Sequence, residues 1–284
     1  MNPIESIVDG TRNELVEMPW VEYLAYPALN GSVLVAGRKS MLHLHYAWHF
    51  GQADTDAMAF GRLLHCLLLE PREVENRYRA WDGRRAGNEY KDFCARAEAD
   101  GVEVVKASGE YSLELAVAAS PRFFEVARIK ELIVAGKAEQ TVLCVEAGLQ
   151  CKGRLDWVST SEHVLTDVKT TAEMDERLFG RGFYRFGYDI KLGLYKRWLE
   201  AVTHEPWPVE VILLESKPPH DAAVMPVPDA VLDQGVEKAL RIIERVKSCI
   251  TAKYWPGIAE DGPYALHVPF YEMEAAEETE PFEG

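Results

Sequence analysis

The chain has 284 residues, 48% of them hydrophobic, and a formal net charge of -15. That apolar share suffices for one large domain or two small ones, and no apolar run approaches the roughly 20 residues of a membrane span. Five scattered cysteines without a CxxC exclude the usual zinc and iron–sulfur spacings, and the acidic balance by itself argues against a broad nucleic-acid surface.

The opening MNPIESIVDG lacks the basic-then-apolar layout of a signal peptide. Residues 1–37 are broken by Pro19, Pro27, Asn30 and Gly31, with Ser32 placed to cap a short helix over Val33, Leu34 and Val35. Met41 to Phe50 is rich in histidine and aromatics. Thr55 to Glu70 predicts a helix with Met58, Leu63, Leu64, Leu67 and Leu68 on one face, ended by Pro71. Trp81 to Gly87 is a charged loop. Asn88 to Ala99 predicts a helix stopped by Gly101, Val102 to Lys106 a strand, and Ser108 to about Ala118 another helix. Pro121 opens a further helix running to Ala135, with Gly136 closing it.

The pattern then changes. Glu139 to Val145, Leu149 to Val158 and Val164 to Lys169 predict an antiparallel meander with short turns. Phe179 to Ala201 is helical in its second half. Val209 to Glu215 and Ala222 to Val227 are strand-like. Pro228 to Lys253 predicts a long helix with Val231, Val236, Leu240, Ile243 and Val246 inward. No repeat or linker divides the chain. The expected organisation is one α/β domain over 1–270, helical to about 137 and with its core at about 138–256. Residues 271–284 hold Glu272, Glu274, Glu277, Glu278, Glu280 and Glu283 and no base, so they read as a disordered acidic tail that concentrates the negative charge.

The chemistry centres on KGRLDWVSTSEHVLTDVKTT, Lys152 to Thr171. Asp167 and Lys169 lie two apart in a strand, so they share a face, and the hairpin brings Asp156 beside them. Two carboxylates and an ammonium on one surface suit metal-assisted phosphodiester hydrolysis: carboxylates bind Mg²⁺, and an ammonium can orient water or meet developing charge. A local twist can offer the Val168 carbonyl to the same metal. DxK alone also fits an exposed strand of alternating charge. His65, on an otherwise apolar helix, is either a packed histidine or a ligand. Glu139 is either an edge-strand residue or the holder of a metal-bound water or second ion. Tyr188, Lys191 and Tyr195 fall on one helical face suited to phosphate, or simply on an amphipathic surface helix.

The order GxxxH, E, GRxDWV, TDVKTT and YxxxxxxY resembles the RecE-type, exodeoxyribonuclease VIII-like exonucleases of phages and prophages, within the PD-(D/E)xK nuclease superfamily. SVLVAGRKSMLHLHYA, Ser32 to Ala47, is similar to that family's entry motif, and the likeness runs from Tyr23 to Tyr254. The resemblance implies a restriction-endonuclease-like core, a mixed central sheet flanked by helices. It implies Mg²⁺ or Mn²⁺ on His65, Asp156, Asp167 and the Val168 carbonyl, Lys169 as catalytic, and Glu139 at an acidic position. Arg154, Tyr188, Lys191 and Tyr195 become substrate-binding candidates. Relatives degrade linear double-stranded DNA from the 5′ end, often beside a single-strand annealing protein and some as ring-shaped homo-oligomers. A cytoplasmic protein of a bacterial host, phage or prophage encoded, is implied. One departure stands out: Lys191 occupies the Gln position of YxxQxxxY, adding charge and only donating. It gives an alternative reading as a catalytically weakened or inactive DNA-binding or partner-binding module of the same fold. Arg38, Lys39, Arg84, Arg85, Arg181, Arg185, Lys191, Lys196 and Arg197 are candidates to track a DNA backbone, with steep salt dependence expected.

Overall fold

The computed structural model describes residues 4–51 and 55–261; the acidic tail expected at 271–284 lies outside them. In chain order come β1 (Glu14–Val16), α1 (Trp20–Ala25), β2 (Leu29–Asn30), α2 (Gly31–Ala36), α3 (Met41–Phe50), α4 (Asp56–Leu69), α5 (Val74–Arg77) and β3 (Tyr78–Trp81). Then follow α6 (Asn88–Ala99), β4 (Glu103–Lys106), α7 (Leu113–Phe123), α8 (Ala127–Ile133), β5 (Gly136–Glu146), β6 (Leu149–Ser159) and β7 (Val164–Thr171). The chain continues through α9 (Glu176–Arg185), α10 (Tyr188–Thr203), β8 (Val209–Glu215), β9 (Ala222–Val227) and α11 (Asp229–Ala252).

The main sheet runs β1-β5-β6-β7-β8-β9, with β2 pairing parallel to β6. The expected meander β5-β6-β7 is antiparallel. β7 and β8 are parallel, which requires a crossover, and α9 with α10 supplies it. This is the mixed α/β sheet between helical layers that the sequence predicts. One core places α2, α3, α10 and α11 against the sheet through Leu34, Leu44, Ile190, Trp198, Leu232 and Ile243. The other packs α4, α7 and α8 through Phe60, Leu64, Ala116, Phe123, Ile129 and Leu132 against Val164, Val168, Ile212 and Leu214. The first 137 residues are not purely helical: β1 and β2 join the main sheet, and β3 and β4 form a small parallel pair.

Several local expectations shift for identifiable reasons. Asn30, not Ser32, caps α2, its side chain accepting from the Val33 N–H at 2.9 Å. Pro121 sits inside α7, where the Ser120 hydroxyl donates to the Val117 carbonyl at 3.0 Å and replaces the N–H that proline lacks. Ser112 begins that helix, later than expected, by capping the Leu115 N–H. Gly136 closes no helix. It opens β5, where a Cβ would stand 2.5 Å from the Val158 carbonyl oxygen. The stretch expected as one partly helical run from Phe179 is two helices, split at Gly187 with φ 71°. The inward face of α11 falls on Leu232, Gly235, Ala239, Ile242, Ile243, Val246 and Cys249, so Ile243 and Val246 are buried as expected, and Val231 and Leu240 are only partly buried. The small Gly235 carries a close approach to α10, which a reading by large apolar residues overlooks.

No described helix is long and apolar enough to cross a membrane.

Candidate active site

The site forms where β6 and β7 part. Their ladder pairs Ser159 with Val164, Val158 with Leu165 and Trp157 with Thr166, then stops. One step further the register would set Asp156 opposite Asp167. Instead the Asp156 carboxylate accepts the Val168 N–H at 2.9 Å, replacing a ladder bond with a side chain. On the other side of β6, Glu139 interrupts the β5 ladder opposite Asp156, with φ 53°. A glutamate in that left-handed conformation is uncommon.

Asp167 and Lys169 project together, as a spacing of two requires, and the Lys169 ammonium binds the Asp167 carboxylate. Lys169 also donates to the Val168 carbonyl at 3.1 Å and lies 5.0 Å above the Tyr188 ring. The His65 ring comes from α4, and its Nδ1 is 3.6 Å from Asp156 Oδ2. Gly61, one turn earlier, permits this approach, since a Cβ there would stand 3.1 Å from the Thr170 hydroxyl. From α10, Lys191 lies 5.3 Å over the Tyr195 ring, and Tyr195 packs on Gly153, where a Cβ would be 2.7 Å away.

Burial dominates the electrostatics. It pushes the His65 pKa down to about 4, with Lys169 and Lys191 adding to the effect, so the imidazole is neutral at pH 7. Burial also raises Asp167, and the nearby Asp156 charge raises it further. For Asp156 burial is opposed by His65, Lys169, Lys191 and the Val168 N–H, which together hold its carboxyl below the usual value. Lys191 resists the burial that favours its neutral form because Asp167 and Asp156 draw on its charge, and its pKa is raised. Glu139 is raised by burial and by Asp156.

Among the described residues, no three His, Cys, Asp or Glu side chains stand arranged to hold a metal. The expected set of His65, Asp156 and Asp167 therefore does not converge as it stands. Asp167 turns to Lys169 and Asp156 to the Val168 N–H. The donors nonetheless fit a divalent ion. Among the described residues, buried Asp167 Oδ1 has no hydrogen-bond partner, an unsatisfied hard oxygen beside a second carboxylate, a backbone carbonyl and a neutral imidazole.

The remaining candidates are placed less directly. Arg154 binds Glu139 and donates to the Met18 carbonyl at 2.9 Å, with its guanidinium 5.3 Å from the Trp20 ring. Arg85, Lys196 and Arg197 hold Asp56, Glu200 and Glu146, so each already has a carboxylate. Sequence reasoning missed Lys152, which donates to the carbonyls of Tyr23 and, at 2.7 Å, Tyr26, and so straps the N-terminal segment over Arg154 and Glu139. Its signal was a lysine at an inward position of a buried strand.

Burial lowers the Lys152 pKa to about 8. A base depressed in the folded state gives up a proton that the unfolded chain still holds, so stability rises with pH through this window. Between about pH 8 and the ordinary lysine value of 10.5, wild type is expected to gain stability relative to Lys152→Met. Urea unfolding across that range tests it; a constant difference between the two proteins would sink the assignment.

The fold has a solved counterpart. A protein from Eubacterium rectale described as a putative exonuclease superposes with a TM-score of 0.59 at 12% identity, covering 92% of this chain and 99% of that one. A second structure, SSO0001, matches at 13% identity over 68% of this chain and 85% of that one, and its TM-score of 0.28 supports no argument. No curated protein matches the sequence. Residues 36–267 match the family described as a PDDEXK-like domain of unknown function, DUF3799. With Asp156, Asp167 and Lys169 gathered where β6 and β7 part, the chain belongs to that PDDEXK-like family.

Proposed function

We propose that the protein is a divalent-metal-dependent deoxyribonuclease, a RecE-like exonuclease that degrades linear double-stranded DNA from its 5′ ends during phage-type recombination. The observation that carries this is the unpartnered Asp167 Oδ1 buried beside Asp156, Lys169 and neutral His65. In this reading Asp156, Asp167, the Val168 carbonyl and His65 hold Mg²⁺ or Mn²⁺. A bound ion there supplies Lewis acidity toward a phosphate oxygen and the attacking water. Lys169 leaves Asp167 to orient that water or to meet charge developing on the phosphate. Tyr188 keeps the Lys169 ammonium in place through its ring. Arg154 binds Glu139 and offsets part of the repulsion between this third acid and Asp156. The family to which the chain belongs supports the superfamily, and PD-(D/E)xK nucleases generally use divalent metals. A single-strand annealing protein and a ring-shaped homo-oligomer belong to the same proposal, as does the cytoplasm of a bacterial host.

Lys191 favours a second reading. A second buried ammonium facing Asp156 and Asp167 balances their charge without any ion, as a catalytically inactive DNA-binding or partner-binding module would require. Digestion of linear duplex DNA labelled separately at the 5′ and 3′ ends, with Mg²⁺, Mn²⁺ or EDTA, decides between them. Metal-dependent loss of the 5′ label first, falling steeply with salt, is the expected result. A folded protein that cuts nothing with either metal would establish the module instead.

A further inference from the structure

The crossover helix α9 leaves β7 only four residues after the strand that carries Asp167 and Lys169. Between the end of β7 and this helix lies a cavity of about 180 Å³, lined by Thr170, Leu178, Phe179, Gly182, Phe186 and Tyr188. Tyr188 is the ring beneath the Lys169 ammonium, and Phe186 packs against Tyr188 with centroids 5.8 Å apart. Tyr188 thus stands between the cavity and the Lys169 ammonium. Its wall is unusually apolar at the surface: Leu178 is 49% exposed and Phe186 57%.

Along the same helix Arg177, Arg181 and Arg185 recur at intervals of four, so they form one stripe beside the groove face. All three are exposed. Many other arginines hold carboxylates: Arg12 binds Glu14, Arg62 binds Glu103, Arg77 binds Glu70, and Arg128 binds Glu131, Glu162 and Glu210. Among the described residues the α9 stripe holds none. Arg185 instead lies 5.7 Å from the Phe186 ring. Arg38 adds a fourth cation by donating to the carbonyls of Tyr184, at 2.7 Å, and Arg185, at 3.3 Å. In a chain of net charge -15, an uncompensated stripe of arginine next to exposed aromatic rings is complementary to a polyanion that carries flat apolar groups. Acidic residues at the start of the helix are Glu173 at the groove mouth, Asp175, whose carboxylate caps the Leu178 N–H at 2.7 Å, and Glu176, the first residue of α9.

We propose that the α9 groove holds a single DNA strand, with Arg177, Arg181 and Arg185 on its phosphates and a base against Phe186, so that the strand to be cut reaches Lys169 already parted from its complement. This rests on the nuclease reading and specifies the form in which the substrate meets the site. The exposed Phe186 ring favours a strand over a duplex: a single strand can lay an unpaired base face on it, whereas a duplex keeps its bases stacked and paired inside. The separation of Phe186 from the catalytic lysine by one ring, Tyr188, places the held base next to the bond to be broken.

The test is fluorescence anisotropy in EDTA, with labelled oligo(dT) and a labelled blunt hairpin duplex as probes. Arg181→Gln/Arg185→Gln is expected to weaken oligo(dT) binding about tenfold. It should also flatten the dependence of log K on log salt by about 1.4, at roughly 0.7 per phosphate contact on a single strand. Phe186→Ala is expected to weaken oligo(dT) several-fold and leave the duplex unaffected. Unchanged oligo(dT) affinity and salt slope in the arginine variant overturns the proposal, as does a Phe186→Ala loss equal on strand and duplex. Because no metal is present, the nuclease reading fails separately: a wild type that binds oligo(dT) through α9 but cuts no DNA keeps the groove and loses the enzyme.

Discussion

Asp167→Asn is expected to abolish metal-dependent DNA cleavage, by about a thousandfold or more, and at the same time to raise the melting temperature of the metal-free protein. The two effects have one cause. Burial, then the neighbouring Asp156 charge, raise the Asp167 pKa even though Lys169 and Lys191 pull it down. The folded protein as a whole therefore prefers this group neutral. A carboxyl raised on folding costs stability as pH climbs through the window from its ordinary value to its raised one, and that deficit persists at neutral pH. Asparagine has the same shape without the charge, and Lys169 keeps the Val168 carbonyl and the Asp156 charge, so the deficit disappears together with the anionic oxygen that a metal needs. Lys169→Ala should also stop cleavage but lower stability, by about 3 kcal/mol, because it strands the Asp167 carboxylate without its ammonium. The pair is buried enough for that contrast to be measurable, with side-chain exposures of 11% for Lys169 and 3% for Asp167. Thermal unfolding in EDTA and then with Mg²⁺ reads both. Wild type should gain stability from the ion and Asp167→Asn should not. An Asp167→Asn protein that cuts at the wild-type rate removes Asp167 from the site.

Such opposition between stability and function is also why part of this site could be read in the sequence. Asp167 and Lys169 break the apolar run of a buried strand, and a period of two puts them on one face without further information. Asp156 followed by a hairpin turn is equally local. His65 interrupts an apolar helix and stands four residues after Gly61, which is the residue that allows the helix to reach Thr170. The strap over the other side of the site was not legible. Met18, Trp20 and Tyr23 meet Arg154 and Lys152 across more than a hundred residues, and only the folded chain shows that contact. β1 and β2 have three and two residues, too few for any period to emerge. β3 pairs in parallel with β4 across the whole of α6, so neither strand carries a hairpin signal. Glu139 is in the expected strand, but its positive φ and its bond to Arg154 depend on the partner strand rather than on its neighbours in sequence.

The same dependence on close packing makes Gly235→Ala the substitution expected to damage the fold most. Gly235 lies on α11 where it crosses the start of α10. A Cβ there would stand 2.0 Å from the Asp189 carbonyl oxygen, 2.3 Å from its carbon and 2.9 Å from the Ile190 nitrogen. All three are backbone atoms in a helix and cannot rotate aside. Gly193 makes the reciprocal approach from α10, with a Cβ that would fall 2.5 Å from the Leu232 carbonyl oxygen. The two helices thus touch through their glycines, and a methyl group forces them apart. Helix propensity works the other way, favouring alanine by about 1 kcal/mol. Overpacking costs about 3 kcal/mol at a contact this close, so the clash prevails. A fall of about 4–8 °C in melting temperature is the expected net result for a domain of this size. Gly180→Ala is the matched comparison: a Cβ there meets nothing within 4 Å, and only the propensity gain remains, so that variant should melt slightly higher than wild type. The consequence of Gly235→Ala extends to function, because the first turns of α10 carry Tyr188 under Lys169 and Lys191 opposite the aspartates. Displacing that helix should lower DNA cleavage more than the loss of folded protein explains. If Gly235→Ala melts as wild type does, the two helices do not cross as closely as the structure places them, and Lys191 has no fixed position facing Asp156 and Asp167.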